Sequence, residues 1–244
     1  MPFFYSPPAC DNSPMSYVIP LWDPVSLAVS GSPDRFPVRR VFCVGRNYAD
    51  HQKEMGGTGR EQPFFFAKAA HDVVPGGGDI AYPPKTANYH WETEMVVAIG
   101  KGGARIAAEN ANAHVWGYTI GLDMTRRDLQ QVGKDKGQPW TFGKDFDQAA
   151  PMGTLMPAAK IGHPSKARIW LQVNGQVKQD ANIEQMIWSV PEQIAFLSQH
   201  YTLEAGDLIM TGTPAGVGAA KPGDELIAAI DGLGELRVRI LPPA

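Results

Sequence analysis

Glycine and proline recur so densely in this chain, 26 and 21 times in 244 residues, that long uninterrupted elements have little room to form. Each proline removes a backbone donor, and turn glycines adopt conformations that other residues avoid, so the chain is cut into short pieces. Between the cuts, apolar runs of strand length stand at residues 41–44, 64–68, 95–99 and 118–122. Residues 169–173 and 177–179 flank Asn174-Gly175, a pair that favours the tight turn of a β-hairpin. Further strands are expected at 207–210, 225–229 and 235–240. Helices are expected at 48–55, closed by Gly56-Gly57-Thr58-Gly59, at 126–132, and at 190–203, where Pro191 suits a first turn. Residues 73–84, VVPGGGDIAYPP, read as turns. Strands outnumber helices and do not alternate with them, which predicts a β-rich α+β fold with non-local pairing. Residues 1–38, Pro-rich with an extended stretch at 16–22, read as a leader to one domain over residues 39–244.

Three carboxylates carry the chemistry. Glu92 and Glu94 open the run HWETEMVVAIG, and Asp123 closes GYTIGLD. Strand side chains alternate, so Glu92 and Glu94 share a face and Thr93 takes the other. Two like charges on a core strand are costly unless a cation neutralises them. An all-oxygen donor set, without cysteine or clustered histidine, suits a hard cation such as Mg²⁺ or Mn²⁺.

His51 and Glu54, three residues apart on the expected helix 48–55, can meet on one face, and a carboxylate beside imidazole orients it as a base. The flanking glycines would let that helix close over a site. His90, next to the carboxylate strand, is a candidate supporting group or weak metal ligand. The run TGTPAGVG at 211–218 is either an anion cradle of backbone amides or a tight loop that needs positive φ. No nucleophile elbow, zinc-protease helix or phosphate-binding loop of the P-loop kind occurs.

The remaining composition narrows the class. A net charge of −3 with scattered basic residues leaves no electrostatic footprint for nucleic acid. The two cysteines, Cys10 and Cys43, do not make a disulfide framework, and no apolar run reaches the ~20 residues of a membrane span. The N-terminal stretch lacks the features of a signal peptide. A cytoplasmic protein is expected, with a small molecule as its partner and neither nucleic acid nor membrane.

The strings VGRNYADHQKEMG, PFFFAK, YHWETEMVVAIGK, GYTIGLDMTRRDLQ, PWTFGKDFD, LQVNGQVKQ and GDLIMTGTPAGVG occur in that order. Together they resemble the fumarylacetoacetate hydrolase superfamily over residues 39–240, and within it the acylpyruvate hydrolases, including the fumarylpyruvate hydrolases of gentisate breakdown. The resemblance implies a β-roll, a homodimer, and Mg²⁺ or Mn²⁺ held by Glu92, Glu94 and Asp123. It implies a catalytic dyad of His51 and Glu54 on a lid helix, an active-site lysine at Lys144, and a pocket lined by Arg46, Arg127, Gln130 and Thr213. Trp91 departs from the pattern, since many relatives carry histidine there.

The chemistry so implied is hydrolysis of a 2,4-dioxo acid. Water activated by His51 attacks C4, Lys144 stabilises the oxyanion, and a metal-stabilised pyruvate enolate departs. Fumarylpyruvate would give fumarate and pyruvate, with Arg46 or Arg127 holding the distal carboxylate. Oxaloacetate decarboxylation, or hydration or isomerisation of a 2-oxo dienoate, could use the same metal site. Metal-dependent binding of an oxo acid without turnover is the alternative outside catalysis.

Overall fold

The computed structural model describes residues 16–49 and 60–243. Its centre is an eight-stranded mixed sheet. Strands Arg40–Gly45 and Asp207–Met210 run parallel, and Thr93–Ile99 and Val115–Leu122 continue the sheet antiparallel. The Thr93–Ile99 strand is buried along its whole length. Met95, Val97 and Ile99 enter one apolar cluster, while Val96 and Ala98 enter another. A strand covered on both faces has no solvent side to mark with polar residues, which is why its sequence is an unbroken apolar run.

A five-stranded sheet supplies the cover on one face through Ile169, Leu171, Leu226, Ala228, Leu236 and Val238. Its hairpin joins Arg168–Val173 to Gln176–Asn182 through Asn174 and Gly175, at φ 50° and 78°. Both values are positive, as the expected two-residue turn requires. The second face is covered partly by residues 25–38, where strands Ser26–Ala28 and Arg35–Pro37 contribute Leu27 and Phe36. Residues 16–25 form no strand.

Two expectations are corrected in detail. Residues 73–84 hold two short strands, Val73–Pro75 and Gly78–Ala81, which join different sheets. The Gly76-Gly77-Gly78 run between them has positive φ throughout, so the chain can change sheets there. The expected helix at 126–132 extends over Arg127–Lys136 and stops at Gly137 in the left-handed conformation.

Phe64–Lys68 is one edge of the large sheet and Val73–Pro75 is the other. Only residues 69–72 separate them, so the sheet curls until its edges nearly meet. That curl turns one end of the sheet into a cup, and the chemistry is collected inside it.

Candidate metal centre and active site

Register brings the three carboxylates together. Thr93 stands opposite Leu122, so the residues that precede and follow them, Glu92 and Asp123, are adjacent. The Asp123 amide donates to the Glu92 carbonyl at 2.9 Å. Glu92 itself is a junction: Tyr89–Trp91 belongs to a separate three-stranded sheet, and the large sheet begins at Thr93. Glu92, Glu94 and Asp123 are 4%, 1% and 1% exposed. Their carboxylate oxygens lie within 4.8 Å of one another.

Basic groups converge on two of the three. The Lys144 ammonium donates to Glu92 Oε2 at 2.7 Å, Asp123 Oδ2 at 2.6 Å and Thr125 Oγ at 2.7 Å, which uses all three of its hydrogens. Burial pulls the Lys144 pKa down, but Asp123 and Glu92 outweigh it and the result is a raised value. Lys68 pairs with Asp123 at 2.9 Å and also donates to the carbonyls of Met124 and Lys144. Arg127 donates to Glu92 and, at 2.7 Å, to Gln130.

Glu94 is treated differently. Its one hydrogen-bond donor among the described residues is the Gly212 amide, at 2.8 Å, and no basic side chain there pairs with it. Burial first, then Asp123 and Glu92, push its pKa well above the ordinary carboxylate range. Gly212 has φ 95°, which lets its N–H turn toward the carboxylate, so the 211–218 loop is both a tight turn and a cradle.

The carboxylates line the buried part of a narrow cleft. Arg46, Arg127, Gln130 and Thr213 all line it, and so do Lys134, Phe64, Phe66 and Trp140. His51 and Glu54 lie outside the described residues. Lys144 reaches the cleft because its short helix Thr141–Lys144 packs tightly on the Arg127–Lys136 helix. A side chain at Gly143 would come within 2.7 Å of the Gln130 backbone.

Four contributors were not singled out from sequence. Lys68 ends an aromatic strand, and only the curl of the sheet carries it to Asp123. Lys134 faces the cleft from the same helix as Arg127. Asn47 donates to the carbonyls of Trp188 and Thr211, fixing the start of the 211–218 loop. Gln179, buried on the other sheet, accepts from the Thr93 amide and donates to Thr213 Oγ at 2.8 Å and to the Pro214 carbonyl. That one amide ties the carboxylate strand to the threonine of the loop.

His90 stands beside the site, not in the carboxylate group. It contacts Asn88 at 2.8 Å, and burial, then Arg127, lower its pKa to about 4. Trp91 points away into the apolar core, with its indole N–H donating to the Gly216 carbonyl at 3.3 Å. A Cβ at Gly218 would come within 2.6 Å of the Trp91 ring, so the glycine makes room for it. The departure from the resembled pattern is therefore accommodated on the loop side.

The two segments that carry Lys68 and Lys144 also bring Asp72 against Asp145. Asp72 is fully buried, neither of its oxygens receives a hydrogen bond from a described residue, and the exposed His71 ring stands 3.6 Å from Oδ1. Burial, then Asp145, raises its pKa from 3.8 to about 7. A carboxyl raised in the folded state contributes stability below its unfolded pKa and loses it as pH rises through about 7. Asp72→Asn is accordingly expected to leave stability unchanged near pH 4 and to raise it by roughly 2–4 kcal/mol above neutrality. Melting curves across that range test this, and a pH-independent difference would refute it.

Residues 40–241 match the fumarylacetoacetate (FAA) hydrolase C-terminal family. This chain belongs to that family. Fumarylpyruvate hydrolase of Ralstonia sp is 47% identical over 182 residues, 75% of this chain and 94% of the relative. The mitochondrial oxaloacetate tautomerase FAHD1 of Rattus norvegicus is 43% identical, covering 83% of this chain and 91% of its own length. Among solved structures, fumarylpyruvate hydrolase from Pseudomonas aeruginosa in complex with Mn²⁺ and pyruvate superposes with a TM-score of 0.91 at 53% identity. The match covers 93% of this chain and all of that one.

Proposed function

We propose that this chain hydrolyses the C3–C4 bond of an acylpyruvate, converting fumarylpyruvate and water to fumarate and pyruvate. The observation that carries the reading is the buried carboxylate group at the floor of a cation-lined cleft. Relatives bearing that activity in their names, one of them with Mn²⁺ and pyruvate bound, support it.

Glu92, Glu94 and Asp123 fit a divalent cation, Mg²⁺ or Mn²⁺. The donors are all oxygen, they are mutually close, and Glu94 is buried with a single amide as its partner among the described residues. When bound, such a cation supplies Lewis-acid polarisation of substrate oxygens.

The chain's own groups account for the rest. His51, oriented by Glu54, takes a proton from the water that attacks C4. The C3–C4 pair departs with the pyruvoyl fragment, and a proton at C3 completes pyruvate. Thr213 accepts from Gln179, which leaves its hydroxyl hydrogen to donate to a substrate oxygen. Arg127 and Gln130, joined to each other, hold Glu92 in place. Lys144, together with Lys68, balances the carboxylates and supplies positive charge beside the reacting oxygens.

His51→Ala is expected to lower turnover by on the order of 10²–10⁴ while metal binding persists. An unchanged kcat would pass the role of base to another group. The direct test mixes metal-loaded protein with fumarylpyruvate and measures fumarate and pyruvate together. Equimolar products, lost on chelation, are expected. Carbon dioxide from oxaloacetate with no acylpyruvate cleavage would assign the site to decarboxylation, and metal-dependent binding with no turnover would make this a binding protein.

We also propose a catalytic domain from residue 39, a homodimer, a cytoplasmic location and a place in gentisate breakdown. The family match beginning at residue 40 supports the boundary. Light scattering tests the dimer. Among the described residues, no helix is long and apolar enough to cross a membrane.

A further inference from the structure

We infer that Lys134, with Arg46, forms the subsite that selects acylpyruvates bearing a second carboxylate at the far end of the acyl group. The inference rests on the acylpyruvate reading and deepens it.

The cleft wall carries three cationic side chains besides Lys144, namely Arg46, Arg127 and Lys134. They are not equivalent. Arg127 is committed: its guanidinium donates to Glu92 and Gln130, and it is nearly buried. It belongs to the carboxylate floor. Arg46 and Lys134 form no ion pair with any described residue. Arg46 Nε is buried and finds no hydrogen-bond acceptor among the described residues, and its backbone sits at φ 57°, a conformation that side-chain-bearing residues rarely adopt. Lys134 is half-buried, and its ammonium stands 5.2 Å from the centre of the Trp140 ring.

Two cations on one cleft wall, with no described carboxylate paired to either, repel each other and lose hydration. Burial first, then Arg127 and after it Arg46, lower the Lys134 pKa to about 8, so the Arg46 charge is one part of the shift. An anion entering between Arg46 and Lys134 would remove their repulsion. The carboxylates at the floor are almost fully buried, whereas Arg46 and Lys134 are partly exposed, so the pair lies nearer the mouth. A substrate with its dioxo-acid end at the floor therefore extends its acyl tail toward Arg46 and Lys134. Phe64, Phe66 and Trp140 line the same cleft and suit a flat, unsaturated segment between the two polar ends.

The test compares fumarylpyruvate with acetylpyruvate, which lacks the distal carboxylate, on the full-length metal-loaded protein. Lys134→Met is expected to raise KM for fumarylpyruvate roughly 10- to 100-fold, the worth of one charge-assisted hydrogen bond, with little change in kcat. Acetylpyruvate kinetics should hold, and Lys134→Arg should restore most of the loss. Calorimetric titration with fumarate gives a readout apart from turnover and should weaken in the same variant. Equal losses on both substrates, or no loss on either, would overturn the subsite. If the parent protein cleaves neither substrate, the acylpyruvate reading falls, while undiminished fumarate binding in Lys134→Met would refute the subsite independently.

Discussion

Glu94→Gln is expected to stabilise the metal-free protein and to inactivate it. The two effects share one cause. Glu94 is buried beside Asp123 and Glu92, and among the described residues its support is the Gly212 amide and no basic side chain. Its pKa is raised, so the folded state favours the protonated carboxyl. Such a group contributes stability below its unfolded pKa and loses it as pH rises through the folded value. At neutral pH the parent chain therefore carries a penalty that a neutral amide lacks. The stability gap between variant and parent should close as pH falls. Activity moves the other way, because the divalent cation proposed for this site would lose a carboxylate ligand. Several kcal/mol of charge stabilisation in the transition state correspond to a loss on the order of 10³-fold or more. Calorimetric melting in chelator, then with added Mn²⁺, separates the effects. The variant should melt higher than the parent in chelator and should lose most of the metal-induced rise. An unchanged melting temperature in chelator with a full Mn²⁺ response would remove Glu94 from the ligand set.

What could be read from sequence depended on how local its cause was. The run Met95 to Ile99 announced a buried strand because both of its faces are covered, and the turn at Asn174-Gly175 is set by two residues. Asp123 was legible as a partner for Glu92 because each charge lies at the end of an apolar strand. The junction at Glu92, where one sheet gives way to another, left no mark in the alternation. In sequence Lys68 is only the end of a strand, since its contact with Asp123 exists only through the curl that brings the sheet edges together. Gln179 is a polar residue in a hairpin strand by its local pattern. Its buried bridge between Thr93 and Thr213 depends on how two sheets stack, which no window of sequence contains. Trp91 shows the reverse case. The departure was plain in the sequence, and its consequence was not, because strand alternation and Gly218 turn the ring toward the loop.

Lys144→Met is expected to destabilise the metal-free protein where Glu94→Gln stabilises it. The ammonium is buried and spends its three hydrogens on Glu92, Asp123 and Thr125. Removing one partner of a buried ion pair strands the other, at a cost of about 3–5 kcal/mol. Lys68 and Arg127 remain and would soften this for Asp123 and Glu92 respectively, which favours the lower end of that range. Turnover should fall by on the order of 10²–10³, the loss expected when a preorganised donor to developing negative charge is removed. A divalent cation on the same carboxylates would replace the missing charge, so Mn²⁺ should rescue stability while activity stays low. That split is the decisive readout. If Mn²⁺ restored both, Lys144 would serve only to balance charge in the empty site, and the oxyanion would need another donor. If it restored neither, the ammonium would be required to shape the carboxylate group itself. Combining Lys144→Met with Glu94→Gln in chelator should give a smaller loss than the sum of the single effects, because fewer buried negative charges would then crowd the floor of the cleft.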